Sequence, residues 1–307
     1  MRIGFIGAGN MGLPMAEHVL AGGHELTVFD LRKESAEPLL LRGARWAAQP
    51  RDVAQAADLV IASLPTPTVV EQVVCGDDGI AYAMVPGSCF IDTTTNDPAV
   101  AQRLEATLKA RGIDMLEVPV TGGVVAAGAG TLVALVGGDK STLERYRSVL
   151  DLFCGSLFHL GPVGAGNTAK VITNLLAMSN ILIGAEGMIL GRKAGLDLEI
   201  LWKAIQASVG RSFALEFFFP NGILDGTFPV RFRLDLMAKD LGIVSRLGRE
   251  MNVPMAIANL VEQYLVAARA QGLGAASNSE AVRILEQAAG VDLRIDGFKP
   301  GQSLSGR

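Results

Sequence analysis

Short apolar runs alternate with amphipathic stretches through the first half of the chain. Ile3, Phe5 and Ile6 make one run, Leu26 to Phe29 a second, and a helix-like stretch separates them. Further runs follow at 58–63 (DLVIAS), 89–92 (CFID), 113–118 (IDMLEV), 131–136 (TLVALV) and 157–160 (LFHL). Runs this short, with little polar alternation, suit strands covered on both faces by helices. Between them the pattern predicts helices near 34–42, 68–74, 97–111 and 141–150.

Near residue 161 the strand signals stop. From Gly164 to about Gly290 the chain reads as helices separated at Gly195, Asn221-Gly222, Asn252-Val253-Pro254 and Gly272 to Gly274. The expected architecture is α/β: a doubly wound, mostly parallel sheet over 1–162, an all-helical domain over 163–295 and a polar, mobile tail over 296–307. The apolar stretch Val171 to Leu190 is long enough to tempt a membrane reading. Thr173, Asn174, Ser179, Asn180 and Glu186 interrupt it, so a long buried helix is expected instead.

The first two runs frame Gly7-Ala8-Gly9-Asn10-Met11-Gly12, and the second ends at Asp30, eighteen residues beyond Gly12. Strand, GxGxxG, helix, strand and acid in that order form a Rossmann-type dinucleotide-binding unit. The glycines permit a tight turn, close approach of a pyrophosphate and close helix packing, and the helix start favours the anionic phosphates. An acid about 20 residues on accepts hydrogen bonds from the adenosine ribose. A carboxylate there repels a 2′-phosphate, so NAD is expected over NADP. Arg32 and Lys33 read as solvated loop charges, with a 2′-phosphate contact as the alternative.

Composition narrows the partners. Lys and Arg number 27 against 31 Asp and Glu, a net charge of −4 without a basic run, so neither nucleic acid nor an anionic membrane is an expected partner. Cys75, Cys89 and Cys154 are far apart and read as reduced thiols, so no metal is expected. The amino terminus enters a strand without a charged leader, which points to a cytoplasmic location.

Loops after the strands lie at the carboxyl ends of the sheet, where such folds bind ligands. Three fit: Leu64-Pro65-Thr66-Pro67, Thr93-Thr94-Thr95 and Pro119-Val120-Thr121-Gly122-Gly123. Their hydroxyls and N–H groups suit cofactor sugars and a substrate carboxylate. Thr95 also reads as the N-cap of the helix behind it, and for Thr94 turn chemistry and ligand contact weigh equally. Gly164-Ala165-Gly166-Asn167-Thr168-Ala169 repeats the glycine motif, but a long helix follows it, so no second dinucleotide site is expected.

That helix carries Lys170 and Asn174 one turn apart on one face, near the helix start, where an inter-domain crevice is expected. Spacing alone leaves each open between a site residue and a bland role: surface cation for Lys170, core amide for Asn174. Oxidising a hydroxyl requires a group to move its proton. His18, His24 and His159 fall outside the crevice loops, which makes a lysine the better candidate. Lys239-Asp240 is a third candidate, equally explained by a solvated ion pair of Lys239 with Asp235.

Four stretches, IGFIGAGNMGLPMA, EVPVTGG, GPVGAGNTAKVITN and AKDLGIV, occur in the order of the β-hydroxyacid dehydrogenases, and the resemblance runs over residues 2 to 292. That family includes 3-hydroxyisobutyrate dehydrogenase, tartronate semialdehyde reductase and 2-(hydroxymethyl)glutarate dehydrogenase. Asp30-Leu31 and Gly210-Arg211-Ser212 look most like the NAD-using hydroxymethylglutarate type.

The resemblance implies a 6-phosphogluconate-dehydrogenase-like helical domain that builds a homodimer or homotetramer, and a small carboxylate substrate. It implies Lys170 as general acid/base, Asn174 as substrate-orienting residue, and Thr121, Gly122 and Gly123 as the carboxylate holder. Leu64, Pro65, Thr95 and Lys239 match cofactor-contact positions. The expected reaction is hydride transfer between NAD, with NADP as alternative, and a 3-hydroxy carboxylate. The alternatives are an NADPH-dependent semialdehyde or imine reductase, or a non-catalytic dinucleotide-binding protein.

Thr121 stands where the family usually has Ser, Thr173 where the first Asn of KxxNN is common, and Val69 where some members place Asn. Phe213, Phe217, Phe218, Phe219, Phe228 and Phe232 read as helix core or interface, with a substrate wall as alternative. Arg211, Arg231 and Arg233 either bind a second acidic group or sit in solvent.

Overall fold

The sheet grows outward from β1 (Arg2–Ile6), whose residues alternate between two buried cores. Ile3 and Phe5 join one core, with Val28, Leu59, Ile61 and Ile91; Ile6 joins the other, with Val60, Ala62 and Phe90. Period-two alternation with apolar side chains on both faces is what a sheet sandwiched between helices requires. The computed structural model describes residues 1–55 and 57–299. Residues 300–307 of the expected tail lie outside the described residues.

In chain order, α1 (Gly12–Ala21), β2 (Glu25–Phe29), α2 (Glu37–Leu41), β3 (Arg45–Trp46), α3 (Pro50–Ala54), β4 (Leu59–Ala62) and α4 (Pro67–Cys75) complete the first half of the sheet. Then come β5 (Cys89–Asp92), α5 (Pro98–Lys109), β6 (Asp114–Glu117), β7 (Val120–Thr121), α6 (Gly123–Ala129), β8 (Leu132–Gly138), α7 (Lys140–Leu150) and β9 (Cys154–Gly161). The strand order is β3-β2-β1-β4-β5-β6-β8-β7, with β9 paired to β8.

Every pair from β3 to β6 is parallel, whereas β8 runs antiparallel to β6 and β7. The order reverses at β1, which sets the loops after β1 and β4 side by side. In doubly wound sheets that switch point is where the ligand crevice opens. The sequence pattern contains no sign of β3, β7, α3 or α6. Each spans seven residues or fewer, too short to establish a period.

The chain divides into two compact units, Met1–Lys170 and the part from Val171 on. The sequence places this boundary at 162/163; the units divide at 170/171. The reason is that the first turn of α8 (Ala165–Lys193) is hydrogen-bonded to β6 and so belongs to the first unit. Beyond it, α9 (Leu198–Gln206), a π-helical stretch (Ala214–Ile223), α10 (Leu234–Glu250), α11 (Ala256–Ala270) and α12 (Val282–Ala289) pack around Met178, Leu182, Trp202, Phe219, Leu241 and Leu265. Asn221 and Gly222 leave helical geometry where the sequence expects a break.

The expected long buried helix is corrected in one respect. Val171, Met178, Ile181, Leu182, Ala185 and Met188 are buried, but Ile172, Leu176, Ile183 and Leu190 are exposed. At 100° per residue these four fall within about 40° of one another, so α8 presents an apolar stripe, interrupted by Ser179, to its surroundings.

Candidate active site

The turn after β1 is built by steric necessity. Gly7 has φ +95°, and a Cβ there would stand 2.3 Å from the Ser63 carbonyl oxygen of the β4 loop. At Gly12, a Cβ would stand 1.8 Å from the Gly7 carbonyl oxygen. At Gly9, by contrast, nothing lies within 4 Å. Two glycines let the backbone close on itself, and the third leaves an open approach at the start of α1. That pattern fits a pyrophosphate beside Gly9, on the positive end of the helix.

Asp30 follows β2 and holds the same turn. Its Oδ2 accepts from the Ala8 N–H at 2.8 Å and its Oδ1 from the Arg32 N–H at 2.9 Å. A carboxylate oxygen has capacity for a second bond, so Asp30 can both brace the turn and accept from a ribose hydroxyl. Lys33 stands over the Trp46 ring at 5.9 Å, a cation–π contact within its own unit.

The loops after β4 and β5 are tied together. Leu64 N–H donates to Thr94 Oγ1 at 3.0 Å, and Thr94 N–H to Asp92 Oδ1 at 3.0 Å. Pro65 is exposed, Leu64 and Thr95 half-buried. The expected capping by Thr95 is corrected: Asp97 caps α5, accepting from Ala99 N–H at 2.9 Å, because Pro98 at the first helical position sets the helix start two residues later. Thr66 caps α4.

Thr121 ends β7, Gly122 follows with φ +122°, and Gly123, with φ +70°, opens α6. Gly122 and Gly123 are exposed and Thr121 half-buried. Both glycines hold a left-handed backbone that few other residues adopt.

The repeated glycine motif before Lys170 encloses an anion after all, one supplied by the chain itself. Glu117, at the end of β6, is fully buried. Its Oε1 accepts from Gly164 N–H (2.7 Å), Gly166 N–H (2.7 Å) and Asn167 N–H (3.3 Å), while Oε2 accepts from Asn167 Nδ2. A carboxylate thus sits where a phosphate sits at other helix starts. Burial pushes the Glu117 carboxyl up from its ordinary value, and the Asn167 and glycine donors pull against that rise.

Six residues into α8, Lys170 is buried, and Asn174 follows one turn later, also buried. In the second unit Asn174 Nδ2 donates to Asp240 Oδ2 at 2.6 Å, and Lys239 Nζ lies 3.1 Å from Asp240 Oδ1. Asp240 is fully buried. The solvated pair weighed for Lys239 gives way to this one, while Asp235 pairs with Arg233. The helical unit therefore brings Asn174, Asp240 and Lys239 together.

Sequence reasoning misses Glu117, and names Asp240 only as the neighbour of Lys239, without the bond to Asn174. The only signals were an acid beside a candidate lysine and an acid ending an apolar strand.

The aromatic cluster divides. Phe219 and Phe228 are core, whereas Phe213 is exposed and stacks on Phe217 at 5.3 Å. Arg231 lies over Phe217 and donates to the Asn221 carbonyl. A cavity of about 570 Å³ lies against Trp202, Phe213, Phe217 and Phe298, and none of the candidate catalytic residues lines it.

Comparison with known proteins agrees with this geometry. The sequence family described as the NAD binding domain of 6-phosphogluconate dehydrogenase matches residues 2–161. The family described as NAD-binding of NADP-dependent 3-hydroxyisobutyrate dehydrogenase matches residues 164–285. The chain is 35% identical to 2-(hydroxymethyl)glutarate dehydrogenase of Eubacterium barkeri, over 95% of this chain and 97% of that one. It is 40% identical to NAD-dependent L-serine dehydrogenase of Pseudomonas aeruginosa, over 79% and 83%.

Among solved structures, 3-hydroxyisobutyrate dehydrogenase of Mycobacterium tuberculosis with L-serine superposes with a TM-score of 0.85 at 31% identity, covering 92% of this chain and 98% of that one. A dinucleotide turn at the switch point, a helical unit and relatives matched over nearly their whole length carry one conclusion: this chain is a member of the β-hydroxyacid dehydrogenase family of NAD(P)-dependent oxidoreductases.

Proposed function

We propose that the protein oxidises a small 3-hydroxy carboxylate to its aldehyde or ketone, and catalyses the reverse, with NAD as preferred dinucleotide. The observation that carries this reading is Lys170: a buried lysine on the helix anchored by Glu117, one turn before an Asn that is itself fixed by a buried acid. When bound, the nicotinamide supplies the hydride acceptor. Lys170 Nζ takes the substrate hydroxyl proton in oxidation and returns it to the carbonyl oxygen in reduction.

Asn174 orients the substrate, and its bond to Asp240 leaves its carbonyl oxygen directed by that contact. The Thr121, Gly122 and Gly123 turn holds the substrate carboxylate through its N–H groups and hydroxyl. Gly7 to Gly12, Asp30, Leu64, Pro65 and Thr95 hold the dinucleotide, and the family resemblance adds Lys239 as a cofactor contact. The test is NADH formation with a panel containing 2-(hydroxymethyl)glutarate, 3-hydroxyisobutyrate, glycerate and L-serine, at mildly alkaline pH and in parallel with NADP. Turnover of at least one acid with NAD is expected. No turnover on any, with NADH binding intact, sinks the reading.

The stripe Ile172, Leu176, Ile183 and Leu190 on α8 supports a homodimer or larger homo-oligomer, since apolar residues aligned over five turns are otherwise left in water. Ile183→Glu places a charge in the middle of that stripe. Light scattering on the purified variant should give the monomer mass where the parent gives a multiple of it; an unchanged mass removes the stripe as the interface.

A further inference from the structure

A line of buried polar groups runs from the β4 loop to the start of α8, all within the first unit. Leu64 N–H binds Thr94 Oγ1; Thr94 N–H binds Asp92 Oδ1; Asn96 Nδ2 donates to Asp92 Oδ2 at 2.9 Å. Asn96 N–H then donates to Asn167 Oδ1 at 2.7 Å, and Asn167 Nδ2 to Glu117. Asp92, Asn96, Asn167 and Glu117 are each fully buried. Buried polar groups are costly unless matched, so a chain of them this long has one arrangement in which every donor meets an acceptor.

The two carboxylates choose that arrangement. Asp92 and Glu117 only accept, which turns the Nδ2 of Asn96 and of Asn167 toward them. The amide oxygens must then face backbone donors, Asp97 N–H for Asn96 and Asn96 N–H for Asn167. Either amide, if reversed, would set donor against donor. Room for Glu117 is cut by Gly137, where a Cβ would stand 2.2 Å from Oε1, and by Gly166, where it would stand 2.3 Å from the Leu135 carbonyl oxygen.

We propose that Glu117 is a positioning residue for the reaction: its carboxylate, clamped by Gly164, Gly166 and Asn167, fixes where Lys170 stands, and the Asn167–Asn96–Asp92–Thr94 line keeps that position in register with the dinucleotide loop at Leu64. The inference rests on the proton-transfer role given to Lys170 above. Lys170 is three residues beyond Asn167, about 4.5 Å along the helix axis, so a shift of the helix start carries directly to it.

The experiment compares Glu117→Gln, Asn167→Ala and Lys170→Ala in three readouts: kcat on the fastest acid of the panel, NADH affinity by fluorescence and melting temperature. Glu117→Gln keeps size and one acceptor but puts an amide against Asn167 Nδ2. Its kcat should fall about a hundred-fold, the order expected of an ångström-scale misplacement, with NADH affinity within about two-fold of the parent. If Glu117→Gln does not fold, Asn167→Ala is held to the same criterion.

A parent-like kcat in a folded variant overturns the proposal. So does an NADH affinity that falls as far as kcat, or failure of both variants to fold, since each assigns Glu117 to the fold or the cofactor alone. A Lys170→Ala enzyme with the parent rate is a different failure: it removes the reading of Lys170 itself, whatever Glu117→Gln does.

Discussion

Lys170→Ala lowers kcat by about a thousand-fold while leaving NADH affinity within about two-fold, the signature of a group that acts on the proton and not on the dinucleotide. The size follows from what proton transfer by a positioned side chain contributes, and the selectivity from where the residue sits. Lys170 is on α8, whereas the dinucleotide turn is formed by Gly7 to Gly12, Asp30 and the loop at Leu64.

Steady-state kinetics with the best 3-hydroxy acid, paired with a fluorescence titration of NADH, decides the matter. A rate within about three-fold of the parent places proton transfer elsewhere, since a general acid/base is worth at least about a hundred-fold. Ethylamine added to the variant should restore part of the rate if the missing group is an amine in a cavity of its own size.

How much of this could be read from the sequence depended on how local each feature is. The β1-α1-β2 unit was fully legible, because its glycines, helix and acid all lie within thirty residues and each performs its task on its own neighbours. Lys170 and Asn174 were legible as a pair on one helix face, but spacing could not tell a surface cation from a buried base. Only burial does, and the four motifs shared with a known family had to raise the reading.

Glu117 was illegible for a different reason. An acid closing an apolar run reads as a strand end turning into solvent, and its partners Gly164, Gly166 and Asn167 are 47 to 50 residues away. The motif around those partners reads as one without a second dinucleotide site; the anion that it holds comes from within the chain.

Lys239 shows the same limit at short range. Asp235 and Asp240 were both available to it, and nothing in the spacing says that Asp240 would be the buried one. The antiparallel run of β8 was illegible too, since an apolar run carries no direction. The chain reaches β8 from β7 through α6, seven residues too few to show a helical period in the sequence.

Asp30→Ala shifts the preference between dinucleotides. Two effects are mixed in this variant, and the structure separates them. The carboxylate braces the glycine turn through Ala8 N–H and Arg32 N–H, and its loss loosens that turn for NAD and NADP alike. In the proposed reading the same carboxylate accepts from the ribose hydroxyls of NAD and repels the 2′-phosphate of NADP, an effect of opposite sign for the two. A charge-assisted hydrogen bond contributes about 2 kcal/mol, so NADH affinity should fall about thirty-fold.

NADPH loses the brace but also escapes the repulsion, so its affinity should change by less than about three-fold, and the ratio of the two should move about ten-fold or more toward NADP. Fluorescence titrations of both reduced dinucleotides at one ionic strength measure that ratio. Equal weakening of both would leave Asp30 as a brace alone, and selection against the 2′-phosphate would then pass to other residues at the end of β2. Lys33 is a poor candidate for binding that phosphate while its ammonium stays over Trp46, since reaching outward would give up the cation–π contact.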